Sequence, residues 1–255
     1  MLPQILIQDK ESADIIHKEI TIIYNSISFF TDYFCTLFKM DRKIAGDLLI
    51  ELFENKEISN LCTIRCVSYL NEQFFLKLKT SEGYIAAPGT VLNAALLYLL
   101  VRYFKLKNVF ESGTASGFYS NFIVYALQKN GDGHLDTVDL LSDGVGESII
   151  WKDSPFLTIH KQTNSINFLR EKNQQQQYYD LYSHDSQHVF THMFSELREF
   201  KKCDKDRFLC FFDDQRTENF WDRCIKMKLF DRSDYDVRFT EAAEQLGGFL
   251  QYVKR

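Results

Sequence analysis

Residues 108–129 constrain the fold most, because they combine an apolar run, a glycine-rich turn and a helical pattern. Asn108–Glu111 is mostly apolar and ends in an acid, as expected of a buried parallel strand where it leaves a sheet. The turn from Gly113 to Gly117 follows, and helical spacing resumes at Phe118. Since glycines lack a Cβ and helix starts offer N–H groups, the segment predicts a pocket for a nucleotide-type ligand at the carboxyl end of a strand.

Strand and helix patterns alternate along the rest of the chain, which predicts βαβ units and a mostly parallel sheet. The predicted strands are 108–111, 135–138, 156–160, 179–183, 208–212, 235–239 and 249–253, and the last two are expected to form a hairpin. The predicted helices are 90–104, 117–129, 147–151, 165–173, 188–200 and 217–228. The chain from residue 84 therefore belongs to the α/β class.

Residues 1–83 are predicted to form a helical N-terminal appendage, and residues 84–255 the α/β domain. Helices are expected at 12–38, 41–54 and 64–78, although the run Phe74-Phe75-Leu76 also fits a strand. The boundary is placed in Tyr84–Gly89, which has the composition of a loop. The first helix carries an aromatic stripe that is larger than a small appendage needs, so we expect a homo-oligomer. The stripe consists of Phe29, Phe30, Tyr33, Phe34 and Phe38.

The composition limits the class of protein. The 255 residues are 45% hydrophobic and 25% charged, with a net charge of −5. Nucleic-acid-binding proteins usually carry a basic excess, which this chain lacks. No apolar run reaches the roughly 18 residues that a membrane span needs, and six scattered cysteines indicate thiols in a reducing compartment. We therefore expect a cytoplasmic protein with neither nucleic acid nor membrane as a partner.

Five short motifs follow successive predicted strands. They are Glu111 with Gly113-Thr-Ala-Ser-Gly117, then Asp139, Thr163-Asn-Ser165, Asp185-Ser-Gln-His188 and Phe211-Phe-Asp213-Asp214. In this order they resemble the motifs of class I S-adenosylmethionine (SAM)-dependent methyltransferases. The similarity is greatest to the metal-dependent small-molecule O-methyltransferases of the macrolide-sugar and cephalosporin-hydroxylase-like group, and covers about residues 84–255. It implies a Rossmann-like, seven-stranded sheet with helices on both faces.

The resemblance also implies where SAM binds. The glycine turn would receive the methionine part of the cofactor and Asp139 the ribose hydroxyls, with Asp143 as an alternative if the second strand ends later. Asn164 stands where related proteins often have an acid beside the adenine, and its amide can still form hydrogen bonds. The residues assigned to SAM are Glu111, Gly113, Ser116, Gly117, Asp139 and Asn164.

The resemblance gives a divalent cation, Mg²⁺ or Mn²⁺, to Asp185, Asp213 and Asp214. Carboxylates at neighbouring strand ends repel one another, and a hard cation with oxygen ligands removes that cost. A substrate hydroxyl bound to such a metal becomes more acidic. Asp185 and His188 are the predicted catalytic residues, His188 as general base because its pKa is near neutral. The alternatives are that His188 only packs against the sheet and that Asp214 only caps the next helix.

The sequence therefore predicts a SAM-dependent methyltransferase that methylates a hydroxyl of a small molecule or saccharide with Mg²⁺ assistance. Two other classes remain open. One is a catalytically silent interaction protein built on the same fold. The other is a different metal-dependent enzyme, hydrolytic or hydroxylating, on the same scaffold.

Overall fold

The structure is a computed structural model that describes residues 27–70, 75–80, 83–202, 207–213, 220–229, 235–238 and 248–253. The chain divides into two compact units, Met1–Leu99 and Leu100–Arg255. The division falls within a helix, whereas the sequence prediction put the domain limit at residue 84. No helix among the described residues is both long and apolar enough to cross a bilayer.

The described part of the first unit before residue 89 contains three helices and a β-hairpin. They are α1 (Ile27–Phe38), α2 (Arg42–Glu54), α3 (Lys56–Leu70), β1 (Phe75–Thr80) and β2 (Gly83–Pro88). Helix α2 begins after Asp41, whose carboxylate accepts a hydrogen bond from the Ile44 N–H at 2.9 Å. The predicted helices at 27–38 and 41–54 are confirmed, and residues 12–26 of the first lie outside the described part of the chain.

Two sequence predictions in this unit are wrong. The predicted helix 64–78 is wrong for residues 75–78, because α3 ends at Leu70 and these residues lie in strand β1, which agrees with the alternative of a strand at Phe75 and Leu76. The predicted loop at residues 84–89 is mostly strand β2, which pairs antiparallel with β1. The physical reason is the alternation of Leu76 and Leu78 with Lys77 and Lys79, because a period of two places apolar groups on one face of a strand.

The aromatic stripe of α1 gives less support to an oligomer than its sequence suggested. The side chains of Phe34 and Phe38 are 1% and 5% exposed, so the single chain already buries them. The side chains of Phe29, Phe30 and Tyr33 lie outside the described part of the structure. The homo-oligomer therefore stays a prediction that these two buried rings do not favour.

The second unit is an α/β sheet preceded by α4 (Gly89–Phe104), which begins in the first unit. Its elements are β3 (Asn108–Ser112), α5 (Phe118–Asn130), β4 (His134–Val138), β5 (Leu157–His160), α6 (Ser165–Gln174), β6 (Leu181–His184), α7 (Phe190–Lys201), β7 (Arg207–Phe212), α8 (Phe220–Lys226), β8 (Tyr235–Arg238) and β9 (Gly248–Val253). The strand order is β5-β4-β3-β6-β7-β9-β8. Strands β3 to β7 are parallel, and β9 runs antiparallel to both of its neighbours. The predicted α/β class with a parallel sheet is confirmed.

The strand order reverses direction at β3, and this places helices on both faces. From β3 the chain adds β4 and β5 on one side and then returns to add β6 and β7 on the other. Right-handed crossovers then put α5 on one face and α6 and α7 on the opposite face. In agreement, α6 and α7 contact each other, and the Asn173 amide donates to the carbonyl oxygen of Glu199 at 2.8 Å.

Aromatic side chains fill the core between the sheet and the α6–α7 face. Phe110, at the centre of β3, is fully buried and lies 5.6 Å, centroid to centroid, from the stacked ring of Phe168. The rings of Tyr179 and Tyr182 lie 5.5 and 5.6 Å from Phe110. The apolar run of β3 is thus explained by burial of a central parallel strand.

The predicted helix at 147–151 is absent, and turns replace it. Gly144 and Gly146 adopt φ values of 72° and 70°, which a helix does not permit. The backbone of this loop forms short turns and also hydrogen-bonds to the glycine turn and to α5. The Ser148 N–H donates to the carbonyl oxygen of Ser116 at 2.9 Å, and the Ile150 N–H donates to Asn121 Oδ1 at 2.8 Å.

Phe110 should therefore carry a large share of the stability of the second unit. We expect Phe110→Ala to lower the free energy of unfolding by about 3–5 kcal/mol, because it removes a buried ring and leaves a cavity. Met227→Ala is the matched control, since Met227 is 55% exposed and its loss should cost under about 0.5 kcal/mol. Urea denaturation followed by circular dichroism measures both, and equal losses in the two variants would contradict this account of the core.

Candidate functional site

A cavity of about 280 Å³ lies at the carboxyl edge of the sheet. It opens where the strand order reverses between β3 and β6, which is where open α/β sheets bind their ligands. The segments after four strands and the first turns of two helices supply its walls. The lining residues are Ser112, Gly113, Ala115, Val138, Asp139, Leu140, Leu141, Thr163, Ser165, Asp185, Ser186, Gln187 and His192.

The cavity brings together three of the residues that the sequence assigned to a site. Gly113, Asp139 and Asp185 line it, each from a different strand end. The other assigned residues within the described chain are not among its lining residues. They are Glu111, Ser116, Gly117, Asn164, His188 and Asp213. Their roles toward a ligand therefore stay predictions.

A glycine is required at position 113, because the ends of strands β3 and β6 approach each other closely there. Its φ is 91°, and an added Cβ would lie 2.0 Å from the carbonyl oxygen of Asp185. The turn amides are also engaged within the protein. The Gly113 N–H donates to the Val138 carbonyl oxygen at 2.9 Å, and the Ala115 N–H donates to Asp139 Oδ2 at 2.9 Å. The glycine thus serves packing of the protein against itself, where the sequence suggested approach of a ligand.

Gly117 likewise faces protein. It precedes α5 with a φ of 94°, and an added Cβ would lie 2.1 Å from Ile149 Cγ1. Ile149 belongs to the loop that replaces the predicted helix at 147–151. An added side chain at position 117 would meet this loop, and the predicted contact of Gly117 with SAM stays a prediction. Ser116, its neighbour, holds the same loop through its carbonyl oxygen.

Asp139 is held rigidly at the cavity. Its Oδ1 accepts from the Leu141 N–H and its Oδ2 from the Ala115 N–H, both at 2.9 Å. A carboxylate has about four acceptor sites, so two backbone donors leave capacity for hydroxyl groups of a ligand. The position and chemistry of this residue fit the predicted contact with a ribose.

Glu111 lies beneath the site and is 1% exposed. The hydroxyls of Ser120 and Thr137 donate to its Oε2, the second at 2.6 Å. Burial raises the pKa of Glu111 to about 7, against the lowering effect of these hydrogen bonds. In the structure this carboxyl group joins β3 to β4 and α5.

Asn164 has a structural role at the start of helix α6. It precedes α6, and its side chain accepts a hydrogen bond from the Asn167 N–H at 3.1 Å, as an N-cap does. The adjacent residues Thr163 and Ser165 line the cavity instead. These two residues are closer candidates for a ligand contact than Asn164.

The structure describes two of the three predicted metal ligands, Asp185 and Asp213. In the pairing of β6 with β7, His184 lies opposite Phe212, so Asp185 and Asp213 each follow one of two paired residues. The Asp213 N–H donates to the His184 carbonyl oxygen at 2.9 Å. Asp214 lies outside the described chain. Among the residues that the structure describes, no group of three His, Cys, Asp or Glu side chains is arranged to hold a metal ion.

Glu196, a fully buried acid on α7 beside the cavity, was not predicted as a site residue from the sequence. Its Oε1 accepts from Ser112 Oγ at 2.5 Å, from Ser165 Oγ and from His192 Nε2 at 3.0 Å. Its Oε2 accepts from Tyr182 OH at 2.6 Å and from His184 Nδ1 at 2.7 Å. We call these six residues the Glu196 network.

A signal for this network was present in the sequence. His184, His188, His192 and Glu196 recur at intervals of four residues, and the last two share one face of α7. From the sequence alone, His184 and His192, which flank His188, could be surface residues or supporting partners. His184 is fully buried, so it is a supporting partner, and its Nε2 has no hydrogen-bond partner within the described chain.

Comparison with known proteins identifies the fold. No protein-family model matches the sequence, and no curated protein matches it. Among solved structures, the O-methyltransferase TomG of Streptomyces achromogenes, which takes part in tomaymycin synthesis and contains SAM, is similar with a TM-score of 0.53 and 16% identity. The match covers 79% of this chain and 91% of TomG.

Two further structures agree. An O-methyltransferase of Bacillus cereus in complex with SAH matches with a TM-score of 0.51 and 14% identity, over 77% of this chain and 91% of its own. A SAH-bound methyltransferase of Podospora anserina matches with a TM-score of 0.51 and 12% identity, over 64% of this chain and 79% of its own. The chain therefore has the α/β fold of SAM-dependent O-methyltransferases.

The buried Glu111 should make stability depend on pH. The folded chain holds this proton up to about pH 7, whereas an unperturbed glutamate releases it near 4.5. The folded state thus binds more protons between these values, and the free energy of unfolding falls as the pH rises from 4.5 to 7. The difference between the two pKa values corresponds to about 3 kcal/mol.

Glu111→Gln should remove this contribution, because an amide oxygen can accept both hydroxyl hydrogen bonds without ionising. We expect the variant to be more stable than the wild type at pH 8 by up to about 3 kcal/mol, and to differ little from it at pH 4. Guanidinium unfolding at both pH values measures the difference. A variant that loses the same stability at both pH values would contradict the assignment of a buried, proton-holding acid.

Proposed function

We propose that this protein is a SAM-dependent methyltransferase that methylates a hydroxyl group of a small molecule. The cavity at the switch point of the sheet carries the proposal. It combines the β3 glycine turn with Asp139 at the end of the neighbouring strand, in a fold shared with proteins that were solved with SAM or SAH. The class of the neighbours supports transfer to the oxygen of a small molecule.

The residues of the cavity fit the chemical groups of SAM. Asp139 would accept hydrogen bonds from the ribose hydroxyls, and Thr163 and Ser165, next to Asn164, would contact the base. SAM supplies a methyl group on a positively charged sulfur. Asp139 and Asp185 put two carboxylates around the cavity, and negative charge in a partly buried site stabilises such a cation.

We further propose that a divalent metal ion assists the reaction. Asp185, Asp213 and Asp214 would hold Mg²⁺ or Mn²⁺, and the adjacent positions of the first two at paired strand ends support this. The metal would lower the pKa of a bound acceptor hydroxyl. A histidine between the end of β6 and the first turn of α7 would take the proton. The sequence assigned that role to His188, whose Nε2 lies 3.7 Å from Asp185 Oδ1.

SAM binding gives the first test. We expect calorimetry to detect binding of both SAM and SAH, and Asp139→Asn to weaken SAM binding by at least about tenfold, or roughly 1.4 kcal/mol. The charge of this carboxylate strengthens its hydrogen bonds to the ribose. Asp143→Asn is the matched control, because Asp143 is exposed and does not line the cavity.

Three outcomes separate the alternatives. Absence of binding in the wild type would overturn the proposed function. A loss in Asp143→Asn with none in Asp139→Asn would move the ribose to the later acid. Binding of both compounds without transfer from methyl-labelled SAM to any of a panel of phenols, alcohols and saccharides would favour the catalytically silent protein. Thermal unfolding of both variants excludes a general loss of folding.

Metal removal gives the second test, with an acceptor from that panel. We expect excess EDTA to abolish methyl transfer and added Mg²⁺ or Mn²⁺ to restore it. Asp185→Asn should reproduce the loss, because the amide keeps the shape but lacks the charge that attracts the cation. Full transfer in EDTA would contradict the metal-assisted mechanism and leave SAM-dependent transfer itself in place.

A further inference from the structure

His192 is the one histidine among the described residues that lines the cavity, and the Glu196 network fixes its orientation. Its Nε2 lies 3.0 Å from Glu196 Oε1 and 3.3 Å from Ser186 Oγ. Because a carboxylate only accepts hydrogen bonds, Nε2 carries the hydrogen that it donates to Glu196. The lone pair of a neutral ring then lies on Nδ1, which has no partner within the described chain.

The support behind His192 is itself rigid. Glu196 receives further hydrogen bonds from the ends of β3 and β6 and the start of α6, through Ser112, His184 and Ser165. Its carboxylate is therefore fixed by three other elements of the sheet and its helices. A side chain locked by such contacts can hold a catalytic group in one geometry.

His188, the residue that the sequence favoured as base, is placed differently. It lies in the segment before α7, its side chain is 35% exposed, and it is not among the residues that line the cavity. The side chain of His192 is 13% exposed and borders the cavity directly. Access to a bound acceptor thus favours the residue on the helix.

We propose that His192 is the catalytic base for the acceptor hydroxyl and that Glu196 is its positioning residue. This inference rests on the proposed methyl transfer and names the group that completes it. It also predicts that His188 is dispensable for the proton transfer.

The acceptor oxygen forms a bond to the methyl carbon of SAM, and the carbon–sulfur bond breaks with its electron pair moving to sulfur. The hydroxyl proton moves to Nδ1 of His192, which becomes an imidazolium. The products are a methyl ether, neutral SAH and a protonated His192 paired with the Glu196 carboxylate. The imidazolium then releases its proton to solvent.

The charged groups around His192 determine whether its pKa is raised or lowered. The groups that face it or share its cavity are Glu196, His184, Tyr182, Asp139 and Asp185. The hydrogen bond to Glu196 raises the pKa of His192 above its ordinary value of 6.5. Burial alone would raise the pKa of Glu196, but its hydrogen bonds from His184 and His192 hold that pKa well below the usual range.

The pairing of His192 with Glu196 determines how turnover should depend on pH. His192 can accept a proton only in its neutral form, so turnover should rise with pH through its raised pKa and then level off. Glu196→Gln removes the charge that stabilises the imidazolium. The variant should lower the pKa of His192, move the rising limb to lower pH and reduce the rate on the plateau.

The deciding experiment is histidine side-chain NMR of the full chain, titrated from pH 5 to 9 with and without SAH. His192→Gln and His188→Gln assign the two resonances. We expect the His192 ring signals to titrate above pH 6.5, to shift on addition of SAH, and to titrate at lower pH in Glu196→Gln. The His188 signals should respond less to SAH than those of His192.

Turnover adds a second readout with an acceptor from the panel. We expect His192→Gln to lower kcat by about 10²–10⁴-fold with a nearly unchanged KM for SAM, and His188→Gln to retain most of the rate. If Glu196→Gln does not fold, His192→Gln still decides, because it leaves the other partners of Glu196 in place. Thermal unfolding reports on folding in each variant.

The outcomes are distinguishable from failure of the proposed function. If SAH does not bind at all, both the function and this inference fall. If SAH binds and the His192 signals do not move, or if His188→Gln abolishes turnover while His192→Gln does not, this inference alone is overturned. A pKa of His192 that is unchanged in folded Glu196→Gln would overturn the role of Glu196.

Discussion

The site depends on the close approach of two parallel strand ends, β3 and β6, where the strand order reverses. No side chain other than a hydrogen fits at position 113, because the Asp185 carbonyl oxygen occupies the place of a Cβ. This contact closes the floor of the crevice, and the turn beyond it is held by Val138 and Asp139 of the neighbouring strand. Gly113, Asp139 and Asp185, which line the cavity, all lie at this junction.

A buried carboxylate supports the other side of the same junction. Glu196 is removed from water at a cost that only its donors offset, since an ionised acid without partners is expensive to bury. Those donors come from β3, β6, α6 and α7, so the network joins the elements that form the cavity walls. A feature that stabilises the fold thus also orients the group that we propose for proton transfer.

Local patterns in the sequence predicted the sheet well, because each strand is a short apolar run and each functional acid follows one directly. Asp139 and Asp185 were therefore found from their position after a strand. Glu196 was not, since its importance comes from a contact with Ser112, 84 residues earlier in the chain. The loop at 147–151 was missed for the same reason, because its hydrogen bonds go to the glycine turn and to Asn121.

The central claim is that the cavity between β3, β4, β5 and β6 is the SAM site. A crystal structure of the full chain grown with SAH tests it most directly. We expect SAH density in this cavity, with its ribose hydroxyls on Asp139 and its base beside Thr163 and Ser165. SAH bound elsewhere on the chain, or a cavity without SAH in a crystal grown at saturating concentration, would contradict it.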